Sequence, residues 1–300
     1  MPQRYLPDKK VKYTTDKNSF LGIKPTINPE DAGFFVLSVP FEKTTTYGTG
    51  TKNGPKAIIN ASAQVELYDD ELNRATYKKG IYTYKPIDCK DDTKNVFKKI
   101  NSTAKKILRY NGIPFFLGGE HSISHAIIPA FLDKYKNVSI LHFDAHADLR
   151  SSYESSAHSH ACAMHPFINK CPVVQVGIRS IAEEEIKFVN KGKITTLKMQ
   201  ENPNIKKLTS KVIKNLTGKV YVSIDVDGFD PSVIPATGTP EPGGFNWYDA
   251  LYLFKKVFEA KKIIGVDVVE LSPLMHSSVS EFTIAKFIYR LMGYTNARSL

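Results

Sequence analysis

Short apolar runs rich in Val, Ile and Leu alternate along this chain with longer segments whose apolar residues recur every three or four positions. The short runs predict strands at 33–39, 113–117, 138–143, 173–177, 220–224 and 263–269, with a weaker one at 194–197. The longer periodicity predicts helices at 55–64, 94–110, 122–134, 183–190, 205–215, 247–259 and 279–291. In 94–110, for example, Val96, Ile100, Ala104, Ile107 and Leu108 fall on one helix face, and Pro55 suits the first position of its helix. Apolar strands alternating with helices mean an α/β fold, a mostly parallel sheet covered on both faces. Residues 1–30 are polar and lysine-rich, with Pro7, Pro25 and Pro29, and read as an irregular lead-in. No repeat, low-complexity tract or linker divides the chain beyond residue 30, so one domain is expected over 1–300.

With 42% hydrophobic residues, 300 residues can bury a large core. The net charge of +11 raises the question of nucleic acid or acidic membranes as partners. The lysines of 95–106 and 204–214, however, sit between apolar residues at helical spacing, as solvated helix faces do. No zinc-finger spacing or aromatic RNA-binding motif accompanies them, so no nucleic acid partner is expected. Cys89, Cys162 and Cys171 are odd in number and widely spaced, which fits free thiols in a reducing cytoplasm. Met1–Lys12 lacks the apolar centre of a signal peptide, and no apolar run approaches a membrane span. The expectation is a soluble, cytoplasmic protein with no membrane partner.

The chemically loaded residues gather where predicted strands end. The 113–117 strand runs into Gly118-Gly119-Glu120-His121-Ser122, and the 138–143 strand into Asp144-Ala145-His146-Ala147-Asp148. The 220–224 strand runs into Asp225-Val226-Asp227, and the 263–269 strand ends at Glu270. In open parallel sheets, ligands bind beyond the carboxyl ends of the strands. Alternate residues of an extended segment point the same way, so Asp144, His146 and Asp148 can face one cavity, as can Asp225 and Asp227. Carboxylates crowded at the end of a buried strand are costly to desolvate, and a cation removes that cost. A single Asp at such a place would more simply cap a helix or pair with a lysine. Five such groups at period-two spacing, with His121, favour a metal. Two imidazoles and four aspartates without thiolate suit manganese, and six side chains suit two ions sharing carboxylates. Two such ions can hold a hydroxide at neutral pH and stabilise charge during attack.

Gly-Gly-Glu-His-Ser at 118–122, Asp-Ala-His-Ala-Asp at 144–148 and Ser-Ile-Asp-Val-Asp-Gly-Phe-Asp-Pro at 223–231 resemble the arginase/agmatinase (ureohydrolase) family. So do Pro-Ala-Thr-Gly-Thr-Pro-Glu-Pro-Gly-Gly at 235–244 and Asp-Val-Val-Glu-Leu-Ser-Pro at 267–273, and the order and spacing match along about 34–287. The resemblance implies a three-layer α/β sandwich with a central, mainly parallel eight-stranded sheet, of the arginase/deacetylase type. It implies two Mn²⁺ per subunit, one held by His121, Asp144, Asp148 and Asp225, the other by His146, Asp144, Asp225 and Asp227. Asp144 and Asp225 would bridge. It also implies a homo-oligomer, trimer or hexamer. Within the family the stretch from Pro40 to Gly50, Gly54-Pro55, and the passage from Asp148 to Cys162 are similar to agmatinases. The polar Asn and Ser stretch with which arginases hold the substrate α-carboxylate is not found. Ser151 and Ser152 depart from the pattern, since related agmatinases commonly carry acidic residues there.

The reaction so implied is attack by a metal-bridging hydroxide on a guanidinium carbon, with agmatine giving putrescine and urea. An imidazole near neutral pKa suits protonation of the leaving amine, and Ser-His-Ala places His160 at the family's shuttle position. His158 is the alternative; it and His165 are otherwise expected to be exposed. Glu270 is expected to hydrogen-bond the guanidinium, with a salt bridge to a lysine as the plainer possibility. Glu120 either orients His121 or only satisfies backbone groups. Gly118 and Gly119 are expected to let the chain pass close to the metals, and Gly238, Gly243 and Gly244 to shape a loop at the site mouth. Asp230 reads as a turn cap, and Cys162 and Cys171 as small buried residues. On the loop between Asp148 and His160, Glu154 is the candidate for a substrate's distal ammonium, and Arg150 for a carboxylate tail. Other members of the reaction class act on aminopropylagmatine, guanidinobutyrate or arginine. The double-aspartate set argues against a single-zinc deacetylase of similar fold, and the intact ligand set argues against a non-catalytic relative.

Overall fold

The computed structural model describes residues 13–25 and 27–295. Among the described residues ten strands are β1 (Tyr13–Thr15), β2 (Ile23–Pro25), β3 (Phe34–Val39), β4 (Ile81–Thr83), β5 (Ile113–Gly118), β6 (Val138–Phe143), β7 (Val173–Ile178), β8 (Ile194–Lys198), β9 (Lys219–Asp225) and β10 (Lys262–Val269). Six α-helices are α1 (Gly54–Ser62), α2 (Thr93–Ile107), α3 (Ser124–Lys134), α4 (Ile205–Asn215), α5 (Trp247–Ala260) and α6 (Val279–Thr295). Strands β3 to β10 form one eight-stranded sheet in the order β4-β3-β5-β10-β9-β6-β7-β8, and all its pairings are parallel.

Successive side chains of each strand point to opposite faces, and both faces are apolar. Phe34 and Val36 of β3 join one core, with Ile58 of α1, Val212 of α4, Phe254 of α5 and Ile288 of α6. Phe35, Leu37 and Val39 join the other, with Ile100 of α2 and Phe131 of α3. The result is three layers, as the family resemblance implies. Side-chain caps start several helices where an orphan backbone N–H needs an acceptor. Asp92 accepts from the Asn95 N–H, Asn204 from Lys207 and Asn246 from Asp249, at 2.8–3.0 Å. On α2 the buried residues are Val96, Ile100, Ala104 and Ile107, while Lys94, Lys98, Lys105 and Lys106 face solvent. The lysine-rich helices therefore present the solvated faces expected of them.

Three segments differ from expectation. Within the lead-in, Tyr13–Thr15 pairs antiparallel with Ile23–Pro25, so 13–25 forms a small ribbon; residues 1–12 of that lead-in lie outside the described residues. The eighth strand, Ile81–Thr83, has only three residues and pairs with β3 at the sheet edge, too short for periodicity to reveal. The expected helix at 183–190 is a run of tight turns: Ile186, Phe188, Val189 and Lys191 each donate to the carbonyl three residues back. The Glu185 carboxylate, turned back to accept from Ala182 and Leu149, ties this run to the loop after β6. No helix among the described residues is long and apolar enough to cross a membrane.

Candidate metal centre

The loaded strand ends are neighbours: β5, β10, β9 and β6 are adjacent in the centre of the sheet. Their carboxyl ends bring His121, Glu270, Asp225 with Asp227, and His146 with Asp148 to one cavity, with Asp144 fully buried beside them. His121 Nδ1 lies 3.2 Å from Asp144 Oδ2, 3.2 Å from Asp148 Oδ2 and 3.4 Å from Asp225 Oδ2. His146 Nδ1 lies 2.8 Å from Asp227 Oδ2 and 3.6 Å from Asp144 Oδ1. Asp144 thus belongs to two clusters of potential ligands, one with His121, His142 and Asp148, the other with His146 and Asp227. All six candidate ligands named from sequence come together here.

Hydrogen bonds set the imidazole of His121. The Ser223 hydroxyl donates to Asp267 Oδ1 at 2.7 Å, so it accepts from His121 Nε2–H at 2.9 Å. Asp267 is buried and is also held by the Tyr221 hydroxyl at 2.6 Å and Ser124 at 3.2 Å. Nδ1 of His121 is then the nitrogen left to take a cation or a proton, facing three carboxylates. It is buried without a hydrogen bond, and Asp144 Oδ2 has the His142 Nε2–H beside it, at 2.8 Å. Such orphaned atoms are costly unless something binds them, and a cation among these donors fits.

The electrostatics agree. Burial pushes Asp225 well above the usual carboxylate range, and Asp227 and Asp144 push it further. Burial likewise raises Asp227 and raises Glu270 strongly. Burial opposes the charged form of His146, but Asp227 and Asp144 outweigh it and drive its pKa up to about 12. His121 is raised by its three carboxylates against the same burial penalty. The carboxylates hold protons at the imidazoles for want of other positive charge, and divalent cations would displace those protons.

Two site residues have left-handed backbones, Asp148 at φ 53° and Glu270 at φ 63°. Non-glycine residues hold such angles only where the surroundings over-determine them. Glu270 donates its N–H to Gly119 and accepts the His121 N–H at 2.6 Å, so its turn locks β10 to the end of β5. It lines the cavity, and no lysine pairs with it among the described residues. Gly119 is required for a different reason from the one expected: a Cβ there would lie 2.0 Å from the Phe41 carbonyl oxygen. The close approach is to backbone, not to the ligands. Gly48 and Gly238 meet at the cavity lip, where a Cβ on Gly48 would lie 2.5 Å from Gly238 Cα.

His160, Arg150 and Tyr153 line the cavity, and Glu154 does not. Glu154 is exposed on a turn at φ 47°. Arg150 is 3.2 Å from Glu184 and stacks over Tyr153. His158 is exposed, but His165 is half-buried, its Nδ1 2.8 Å from the Leu149 carbonyl oxygen, so the expectation of an exposed His165 is corrected. Glu120 touches no ring of His121; it accepts from Lys43 and Thr44 N–H and from the Thr44 and Ser122 hydroxyls. Asp230 accepts from Ser232, Gly243 and Gly244, as a turn cap does. The thiols of Cys162 and Cys171 are buried, and burial pushes both up to about 11, away from nucleophilic reactivity.

Four residues at the site carry no clear mark in the sequence. His142 places Nε2 2.8 Å from Asp144 Oδ2, and its Nδ1 accepts from Gln175 at 3.0 Å. Arg179, half-buried against the 241–244 loop, donates to the Glu241 and Asp227 carbonyls, both at 2.7 Å. Glu185, 4% exposed, is a carboxylate in the cavity wall. Thr44 joins Glu120 to His160. The only sequence signal for any of these is an imidazole, His142, two residues before Asp144 in an otherwise apolar strand.

Residues 32–293 match the family model described as the arginase family. The chain is 36% identical over 298 residues to the N(1)-aminopropylagmatine ureohydrolase of Synechocystis sp., covering 94% of this chain and 95% of that one. It is 32% identical over 274 residues to the agmatinase of Pyrococcus horikoshii, covering 90% and 94%. The solved agmatine ureohydrolase of Thermoplasma volcanium superposes with a TM-score of 0.82 at 28% identity, covering 90% of this chain and 92% of that one. A shared fold, the clustered candidate ligands and similarity along nearly the whole length make one conclusion: the chain belongs to the arginase family and is a ureohydrolase.

Proposed function

We propose that this ureohydrolase splits agmatine into putrescine and urea with two manganese ions. The observation that carries the substrate is the pair of buried carboxylates in one cavity: Glu270 beside the ligand cluster and Glu185 in the wall. A guanidinium joined by a short apolar chain to an ammonium, with no carboxylate, is complementary to such a pair. Arg150, which would otherwise attract a carboxylate tail, is already paired with Glu184. Glu185 accepts N–H groups from Leu149 and Ala182 at 2.6 and 2.7 Å, which fixes its position but leaves lone pairs for an ammonium.

His121, Asp144, Asp148 and Asp225 would hold one ion, and His146, Asp144, Asp225 and Asp227 the other. The oxygen-rich donor set supports manganese. Two ions held there would supply an activated water as the nucleophile and offset negative charge on its oxygen. Glu270 orients the guanidinium through charge-assisted hydrogen bonds. His160 delivers a proton to the departing amine nitrogen. Burial of the cluster keeps these charges in a low dielectric, where each is worth more than in water.

A second reading is favoured by the similarity to the Synechocystis protein: the amine tail carries an aminopropyl extension. Urea release from agmatine, N1-aminopropylagmatine, guanidinobutyrate and arginine, with manganese added, separates the readings. Highest kcat/KM on agmatine supports the first and on aminopropylagmatine the second. A preference for guanidinobutyrate or arginine overturns both.

A further inference from the structure

Thr44 lies half-buried on the loop after β3, far in sequence from every residue of the metal cluster. Its hydroxyl is 2.7 Å from Glu120 Oε1, 3.0 Å from the His160 backbone nitrogen and 3.3 Å from His160 Nδ1. Glu120 is fully buried and surrounded by donors only: the Lys43 and Thr44 N–H groups, the Ser122 hydroxyl and Thr44 itself. A hydroxyl has one proton, and Thr44 must aim it at that carboxylate. Toward His160 it has only lone pairs. One accepts the backbone N–H, and the other faces Nδ1, which therefore carries a proton. Ser159 Oγ lies farther from the same nitrogen, at 3.4 Å, and the Tyr153 ring meets the imidazole edge-on at 6.2 Å.

We propose that Thr44, fixed by Glu120, is the positioning residue for His160: it keeps the proton on Nδ1 and leaves Nε2 to exchange protons at the cavity. This rests on the reading of His160 as the group that protonates the leaving amine. It assigns a task to Glu120 that its place beside His121 does not suggest. The buried carboxylate anchors the 43–44 loop and polarises the hydroxyl that sets the imidazole.

The test uses the metal-loaded enzyme with Thr44→Val and Thr44→Ser. Valine keeps the shape and removes the acceptor; serine restores it. Expected for Thr44→Val are unchanged metal content, little change in KM and a fall in kcat of about ten-fold, the scale of one lost hydrogen bond. The alkaline limb of the kcat profile should move, because the imidazole has lost the acceptor that orients it. Thr44→Ser should return both to wild type. A role in folding alone would lower Tm without moving the limb. Independently of turnover, ¹⁵N–¹H correlation of the imidazoles in magnesium-loaded protein, with His160→Gln for assignment, should show neutral His160 protonated on Nδ1 in wild type and Thr44→Ser. Loss of that preference is expected in Thr44→Val. A wild-type proton on Nε2, or a profile identical in Thr44→Val, overturns the proposal. Should no guanidino compound be hydrolysed, the reading of the reaction falls, and the tautomer still decides the role of Thr44.

Discussion

The ends of β5, β10, β9 and β6 and the loop from Leu149 to Ser159 border the same cavity, yet they are built in opposite ways. At the strand ends Asp144, His121 and Asp227 are at most 2% exposed, and further buried groups such as Ser223 and Asp267 hold the cluster in place. On the loop Ser151, Ser152, Glu154, Ser155 and His158 are exposed, and Tyr153 and Ser156 close a turn by exchanging two backbone hydrogen bonds. A parallel sheet positions side chains through ladders that cross the whole molecule, so its ends can fix several charged groups together. The loop is held by its own turns and a few side-chain ties, such as Glu185 to Leu149 and Arg150 to Glu184. On the proposed function, the sheet would hold the metals and the guanidinium, and the loops around it would choose the substrate tail.

Substitution at the strand ends should therefore have the largest effect. Asp144→Ala or Asp225→Ala should lose at least one ion and all measurable turnover, read by metal analysis after gel filtration and by urea release. Two tightly held ions in Asp225→Ala would break the assignment of Asp225 as a bridge. The same region should link metal to pH. His121, His146, Asp225, Asp227 and Glu270 all have raised pKa values in the folded protein. A raised pKa contributes stability that is full below the unfolded value and is lost as pH rises toward the folded one. The metal-free protein should therefore weaken as pH rises from about 6 to about 8, across the ordinary histidine pKa. The gain in Tm on adding manganese should grow over that interval; a gain that shrinks contradicts the charge balance described.

His160 stands where the two regions meet, held by Thr44 but carried by the loop. His160→Ala should keep both ions and lose about 10²–10⁴-fold in kcat, the usual share of general acid–base assistance. Full activity would move proton delivery to His158 or to solvent.

This difference in construction also explains what could be read from sequence. Asp144, His146 and Asp148 are legible because period-two spacing at the end of an apolar strand is a local pattern. The strand at 138–143 and the helix at 205–215 coincide with the observed elements for the same reason. Thr44, Glu185 and Arg179 act through partners 116, 36 and 62 residues away, and nothing local marks them. Glu185 is hidden inside an expected helix, where three successive glutamates read as solvated charge. Glu154 draws attention because it is the sole carboxylate of its loop, and composition does not reveal which way a turn faces.

Substrate tails sharpen the comparison at smaller scale. If Glu185 holds the distal ammonium, Glu185→Gln should raise KM for agmatine by about 10–150-fold, equivalent to about 1.5–3 kcal/mol for a hydrogen bond to a charged group. Methylguanidine, which has no tail, should be affected far less, and that split separates tail binding from a general loosening of the cavity wall. Arg150→Ala should leave the ranking of agmatine over guanidinobutyrate intact. If wild type prefers guanidinobutyrate and Arg150→Ala abolishes that preference, the tail is a carboxylate and Arg150 leaves Glu184 to bind it.

The smallest effect expected is at Glu154. Its side chain is exposed, its residue does not line the cavity, and its backbone sits at φ 47° in a turn. A solvated charge acts on a ligand through water and salt, where even a close pair is worth only about 1 kcal/mol or less. Glu154→Gln should therefore change kcat/KM for agmatine by no more than about two-fold, and what change there is should vanish as ionic strength rises past about 0.5 M. Glutamine keeps the backbone preference of glutamate, so the turn itself is not disturbed. A loss that survives high salt, and that is confined to amine-tailed substrates, would mean that the 149–159 loop folds over bound substrate and brings Glu154 to the tail. The loop would then bind by closing, and the division between a rigid reacting end and an open selecting end would hold only for the free enzyme.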